Sequence, residues 1–392
     1  MKNKYELLAP VGDFPMLVTA VNAGADAVFF GLKEFSMRTS PKNFTLNDLK
    51  KINTICGKKV KKYLTLNTII YDNELNKIEK IIQKIKGKID AIICWDLSVI
   101  ELCKKYKIPF HISTQASVAN SKTAEFYKKL GAERIVLARE LNLKQIKKIS
   151  KIIDIECFAH KVEDIEGNQL KIQNNKIFSA KDLCTLPFIE EMKKAGIKSF
   201  KIEGRSRDPR YVDIVIRVYR KALDKKLTKE ELEENLNELK KAYNRNFSSG
   251  FYIRPPTSDD FTKVEHSAAT EKKHFVGKVT HYYPKINVAT IKLVSNLKLN
   301  DKIIILGNTT GLIESKIEYL EHKKKSINTA EKGMEIGLKL PKGFSICSRT
   351  KLLITSFTNK VGSNSNFNRI IYTNISPRLT YCCKRNNVSR SI

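Results

Sequence analysis

His160 closes the strand-like run IECFAH, and an imidazole there can exchange a proton near neutral pH. Glu203 and Arg205 flank Gly204 at the end of a second run, SFKIEGR, and Arg139 and Glu140 end a third, RIVLARE. A carboxylate beside an imidazole can tune or relay its proton, while a guanidinium offers forked donors to a carboxylate or phosphate. These five residues are the candidate catalytic set. Asn67, Asp96 and Gln115 lie at the ends of three more runs and offer polar contacts to a substrate. Lys201 stands two residues before Glu203, so strand alternation puts both on one face. Gly204 would let the backbone approach a ligand closely. A structural reading competes for the same residues. Arg139, Glu140, Glu203 and Arg205 can pair as a ring of ions, and Lys201 can fill the interior by pairing with Glu203 or Glu140.

The eight cysteines, at positions 56, 94, 103, 157, 184, 347, 382 and 383, are scattered through a large chain, which argues against a disulfide framework. Cys94 and Cys157 fall inside strands and read as core residues. Cys184 follows the reactive-face segment and is the one candidate metal ligand, although a cluster needs companion thiolates. The chain contains no H-E-x-x-H, G-x-S-x-G, P-loop or G-x-G-x-x-G pattern.

The elements that must position these groups obey one rule. Short apolar or β-branched runs alternate with helical patterns, as parallel strands joined by crossover helices do. Strands are expected at 6–9, 27–30, 63–67, 91–95, 109–113, 134–138, 155–160 and 199–203. Eight such strands close a (β/α)8, TIM-like barrel, whose chemistry sits where strands end and the next loops begin. Leu75, Ile78, Ile81, Ile82 and Ile85 repeat at helical spacing, as do Val212, Val215, Ile216, Tyr219 and Leu223. Asp208 and Pro209 start the latter helix. One connection, 161–178, reads as a hairpin around Glu166-Gly167-Asn168, so the seventh crossover helix is delayed to about 186–195. Thr228 and Glu231 form a capping box before a helix bearing Leu232, Leu236, Leu239 and Tyr243.

The expected division is therefore a barrel over 1–225, a helical linker and turn over 226–273, a small β-barrel over 274–356, and a disordered, acid-free basic tail over 357–392. No run of about 18 apolar residues occurs and the first residues lack the apolar core of a signal peptide, which points to a soluble, cytoplasmic protein without a membrane partner. The formal net charge of +31 suits a polyanionic partner such as RNA, although a Lys-rich codon bias would give much of the same excess.

Several long segments resemble the peptidase U32 family: ELLAPVGDFPML, NAGADAVFFGLKEFSMR, HISTQASVAN, GAERIVLARELNLKQI, IECFAH, IFSAKDLCTLPFIEEM, SFKIEGRSRDPRYVDIVIRVYRKALD and NRNFSSGFY. The family includes collagenase-like peptidases and RNA base hydroxylation proteins. The resemblance implies an enzyme-like barrel acting on a tRNA or rRNA pyrimidine by hydroxylation with a small-molecule hydroxyl donor, or alternatively a peptidase, or a binding protein that has lost its chemistry. It also implies a [4Fe-4S] cluster, with Cys184 matching a position that can ligate it. The family continues after His160 with a Gly- and Cys-rich stretch, whereas this chain passes directly to KVEDIEGNQL.

Overall fold

In the computed structural model, alternation along each early strand divides apolar residues between two cores. Leu7 and Ala9 of β1 (Glu6–Pro10), Val28 and Phe30 of β2 (Ala27–Gly31) and Leu64 of β3 (Lys61–Thr65) join the layer beneath the helices. Their alternate neighbours Leu8, Ala27, Phe29 and Tyr63 meet Ala91 and Ile93 of β4 (Ala91–Cys94) in a separate inner cluster. The structure describes residues 4–37, 43–161, 171–173, 176–178, 180–262, 267–340 and 353–359.

The sheet continues through β5 (Phe110–Ile112), β6 (Arg134–Val136) and β7 (Asp154–Lys161). A two-stranded ribbon comes next, β8 (Lys171–Gln173) with β9 (Lys176–Phe178), then β10 (Asp182–Cys184). The turn expected at Glu166-Gly167-Asn168 lies outside the described residues. β11 (Ser199–Ile202) pairs in parallel with both β7 and β1 and so closes the eight-stranded barrel. β10 runs antiparallel against the end of β7, and β12 (Phe247–Ser248) pairs with β10.

The crossover helices are α1 (Phe14–Asn22), α2 (Leu49–Cys56), α3 (Leu75–Ile85), α4 (Leu97–Tyr106), α5 (Ser121–Leu130), α6 (Leu143–Ile149), α7 (Ile189–Lys194) and α8 (Pro209–Asp224). The side chain of Asp208 accepts the Tyr211 amide at 2.9 Å and starts α8, whose expected stripe is buried. In α3 the stripe from Ile78 to Ile85 is buried, but Leu75 stands in the first turn and is exposed. The Thr228/Glu231 capping box opens α9 (Lys229–Lys241), which packs on α8.

Beyond the barrel come β13 (Glu271–Tyr283), β14 (Val288–Leu293), β15 (Leu297–Lys298), β16 (Lys302–Gly307) and β17 (Gly311–Lys316). They are succeeded by β18 (Leu320–His322), β19 (Lys325–Ser326), β20 (Thr329–Ala330), β21 (Glu335–Lys339) and β22 (Leu353–Asn359). All pair antiparallel, eight of them in the order β17-β16-β22-β13-β14-β21-β18-β19, around a core of Val276, Ile291, Leu293, Ile303, Ile305 and Leu338. The β16–β17 hairpin presses onto α1: a Cβ on Gly311, at φ +70°, would lie 2.9 Å from Val18 Cγ1 and 3.0 Å from the Thr19 nitrogen. Arg210 of α8 pairs with Glu271 and, at 3.2 Å, with Glu314, and Lys273 reaches Asp208 at 2.7 Å. Residues 360–392, most of the expected tail, lie outside the described residues. No helix among the described residues is long and apolar enough to cross a membrane.

Candidate active site at the carboxyl face of the barrel

The barrel interior is stacked with ions in three levels. Near the amino ends of the strands, Glu6 accepts bonds from Arg134, from the Tyr63 hydroxyl at 2.8 Å and from Ser199 at 3.0 Å. Burial would raise the Glu6 pKa, but Arg134, the Tyr63 hydroxyl and Lys61 outweigh it and hold the carboxyl at about 2. In the middle, the fully buried Glu156 receives Lys201 Nζ at 2.7 Å and faces Arg134 at 3.5 Å. Lys201 also lies over the Phe29 ring, 4.4 Å from its centroid. The lysine thus has a partner, though neither Glu203 nor Glu140 provides its ion pair. Register explains the choice, because Ser199 pairs with Glu156 and Lys201 with Phe158, bringing Lys201 diagonally beside Glu156. A glutamate inside the run IECFAH was the available signal.

At the carboxyl ends, Arg139 meets Glu203 at 3.3 Å, and its guanidinium lies 4.7 Å from the centroid of Phe158. Arg205 donates to the hydroxyls of Ser36 and Thr65, both at 3.2 Å, with Phe29 beneath it at 5.7 Å. Gly31 makes the room: a Cβ there would fall 2.2 Å from Ser36 Oγ and 2.8 Å from Arg205 Nη1. Gly31, Ser36 and Thr65 could not be singled out from the sequence because nothing in their types marks them. Asn67 accepts the Met37 amide at 3.4 Å, and Gln115 Nε2 contacts Met37 Sδ at 2.9 Å while Ser113 donates to its Oε1. Five predicted residues, Arg139, Glu203, Arg205, Asn67 and Gln115, therefore surround the mouth with polar groups.

Other expectations find different surroundings. The register of β11 against β7 shifts between Lys201 and Ile202, leaving Ala159 as an extra residue on β7. The bulge interrupts alternation, and His160 packs behind the wall against Tyr211, Tyr219 and Phe247, with ring centroids at 5.9, 5.7 and 5.6 Å. Burial lowers its pKa to about 3, and its Nδ1 has no hydrogen-bond partner among the described residues. Three tyrosines fix this corner: Tyr252 donates to the carbonyl of Phe158, Tyr219 to that of Ala159 and Tyr211 to that of Glu203, at 2.8, 2.8 and 2.7 Å. Gly204, at φ +149°, leaves space for the Tyr211 ring, whose Cε1 would be 2.5 Å from an added Cβ, so the close approach it permits is to the protein itself. Asp96 caps α4, accepting the Ser98 amide at 2.9 Å and the Ile70 amide at 3.3 Å. Glu140 is exposed and makes no ion pair among the described residues.

Cys184 is buried opposite His160 in the β10–β7 ladder, with the Tyr219 hydroxyl 3.7 Å from its sulfur. Burial pushes its thiol up to about 11, which opposes the thiolate a metal requires. Among the described residues no three His, Cys, Asp or Glu side chains converge as ligands, and the stretch 158–183 contains no cysteine. These residues do not fit an iron-sulfur cluster.

The model of peptidase family U32 matches residues 12–165 and 160–262, which carry the barrel from α1 onward and its mouth. The chain belongs to the peptidase U32 family. Among its U32 relatives, an uncharacterized protease of Methanocaldococcus jannaschii is 34% identical over 387 residues, covering 86% of this chain and 95% of the relative. A collagenase of Porphyromonas gingivalis is 34% identical over 393 aligned residues, covering 86% and 94%. The tRNA hydroxylation protein P1 of Bacillus subtilis is 29% identical over 366 residues, covering 80% and 86%.

Proposed function

We propose that this U32 protein modifies RNA, hydroxylating a pyrimidine of tRNA or rRNA presented at the barrel mouth. The observation that carries the reading is the seating of Arg205 on the Ser36 and Thr65 hydroxyls at the same carboxyl face that holds the Arg139–Glu203 pair. A guanidinium fixed by two hydroxyls and an aromatic ring keeps its fork oriented, and such a fork matches a phosphate or the carbonyl edge of a base. Glu203, held by Arg139, is the mouth carboxylate placed to take a proton as the base reacts. The charge of +31 favours encounter with a polyanion, and the relative from B. subtilis is named for tRNA hydroxylation. Replacing a ring C–H by C–OH is a two-electron oxidation, so the small-molecule hydroxyl donor sharing the mouth breaks its own C–O bond. The donor leaves reduced by two electrons and protonated in place of its hydroxyl, while the ring proton passes to Glu203; the place of action is the cytoplasm.

Nucleosides from tRNA and rRNA of wild-type and deletion cells, compared by mass spectrometry, test the reading. The expected result is loss of one hydroxylated pyrimidine, restored by the wild-type gene and not by Arg205→Ala. Identical nucleoside profiles would overturn it.

The two relatives at 34% identity are named as a protease and a collagenase, which supports peptide cleavage as a second reading. Cleavage of gelatin by the purified protein, lost in Glu203→Gln, would establish it. A binding protein without chemistry would instead show RNA affinity and leave both nucleosides and gelatin unchanged.

A further inference from the structure

Between residues 271 and 340 the chain carries thirteen lysines against seven acidic residues, and the strand register brings several of those lysines to one end of the sheet. Lys278 of β13 and Lys292 of β14 are directly opposite each other in the antiparallel ladder, and both are exposed. Like charges in that relationship repel and weaken a sheet. Glu335 of β21 is the next residue in the row. His322 of β18 then reaches the Glu335 carbonyl through Nδ1 at 2.8 Å, which places the β18–β19 hairpin at the same end of the sheet.

That hairpin has an unusual tip. His322 pairs with Lys325, so the loop consists of Lys323 and Lys324 alone, and their φ angles are +47° and +62°. A two-residue loop with both residues in the left-handed region favours Asn-Gly, because a side chain there carries steric cost. The sequence instead places two exposed lysines at these positions and a third, Lys325, beside them. Lysine on an edge strand discourages pairing with other chains, but that role needs lysine in the strand and gives no reason for lysine in the loop. A strained backbone that keeps charge at a tip points to a ligand for the charge.

We infer that the strip from Lys278 and Lys292 to the Lys323–Lys325 tip holds the phosphodiester backbone of the RNA whose base enters the barrel mouth. The inference rests on the RNA reading above. Its chemistry is that of a polyanion track: ammonium groups spaced across adjacent strands neutralise successive phosphates and release counterions, without reading sequence. The Gly311 and Arg210 contacts hold the β domain against the barrel that carries the mouth.

The test uses the full chain and fluorescein-labelled total tRNA, with anisotropy titrations over a range of salt. Lys323→Asn/Lys324→Gly supplies the residues the turn prefers, so it is expected to raise Tm while weakening tRNA binding and reducing the slope of log K against log salt by about two units. Lys278→Gln/Lys292→Gln is expected to reduce the slope similarly. Wild-type binding with both variants unchanged in affinity and slope would overturn the inference alone, and a higher Tm with unchanged binding would show the lysines guarding the sheet edge. Binding of the same lysines to phosphatidylserine vesicles, with tRNA binding unaffected, would also overturn it. A wild-type protein that binds no RNA would remove the parent reading as well.

Discussion

The amide of Glu203 donates to the carbonyl of His160 at 2.9 Å, yet the two side chains leave the barrel wall on opposite sides. Glu203 meets Arg139 at the mouth, and His160 lies among the rings of Tyr211, Tyr219 and Phe247. The imidazole is held neutral by burial, with its pKa lowered from 6.5 to about 3. An unfolded chain therefore binds a proton that the folded one refuses, and stability falls as pH drops from about 6.5 toward 3. Burial, followed by Arg134, lowers the His111 pKa as well, so it contributes with the same sign. His160 contributes up to about 1.4 kcal/mol per pH unit within its window. His160→Phe should fold at pH 7, retain activity and show a shallower loss of stability between pH 6.5 and 5 in urea titrations. Loss of activity in a folded His160→Phe protein would assign the ring a chemical role instead.

Glu6 acts in a different window. Its carboxyl is depressed from 4.5 to about 2, so its stabilisation is complete above 4.5 and disappears as pH falls toward 2. Glu6→Gln should lower stability at pH 7 and flatten the pH dependence below 4.5. A thermal-denaturation series across pH reads both effects, and an unchanged acid limb would contradict the buried Glu6–Arg134 pair.

Lys201→Met removes one partner of a buried pair and leaves Glu156 facing Arg134 alone. The expected loss is about 3 kcal/mol by urea denaturation. Lys201→Met with Glu156→Leu should recover part of it, because Arg134 retains Glu6. A double variant no more stable than the single one would show that the pair contributes little beyond packing.

Gly31→Ala places a methyl group against Ser36 and Arg205 without straining the backbone. It should keep the barrel folded and lower substrate affinity by displacing the guanidinium, with circular dichroism unchanged. Equal affinity for wild type and variant would remove Arg205 from the binding surface.

Gly311→Val combines a φ of +70° with collision against Val18 and Thr19 of α1. The β domain should then loosen from the barrel, read as faster limited proteolysis of the full chain. Unchanged cleavage would mean that Arg210 and Lys273 hold the two parts together without the hairpin.

Much of the fold was legible because each barrel strand is a short apolar run and each crossover helix repeats its apolar residues at helical spacing. All eight expected barrel strands occur within a few residues of their positions. The helix starts at Asp208 and Thr228 were legible for a local reason, since a cap involves residues three apart. The mouth was partly legible: Arg139, Glu203, Arg205, Asn67 and Gln115 stand at strand ends, where a barrel directs its loops. Asp96 occupied the same type of position and capped α4, because a strand end is also a helix beginning.

The sequence by itself thus determined the closed barrel, the strand-rich character of the chain from about residue 274 and the charge of the whole, since these depend on patterns within a few residues, while the antiparallel pairing of the later strands came from the structure. Tertiary structure decided which faces the special residues occupy. One extra residue at Ala159, set by pairing between β7 and β11, turned His160 toward α8. Register across the same two strands gave Lys201 its partner in Glu156. Neither outcome can be read along the chain, because each depends on how two segments about forty residues apart align, and a shift of a single residue exchanges one face for the other.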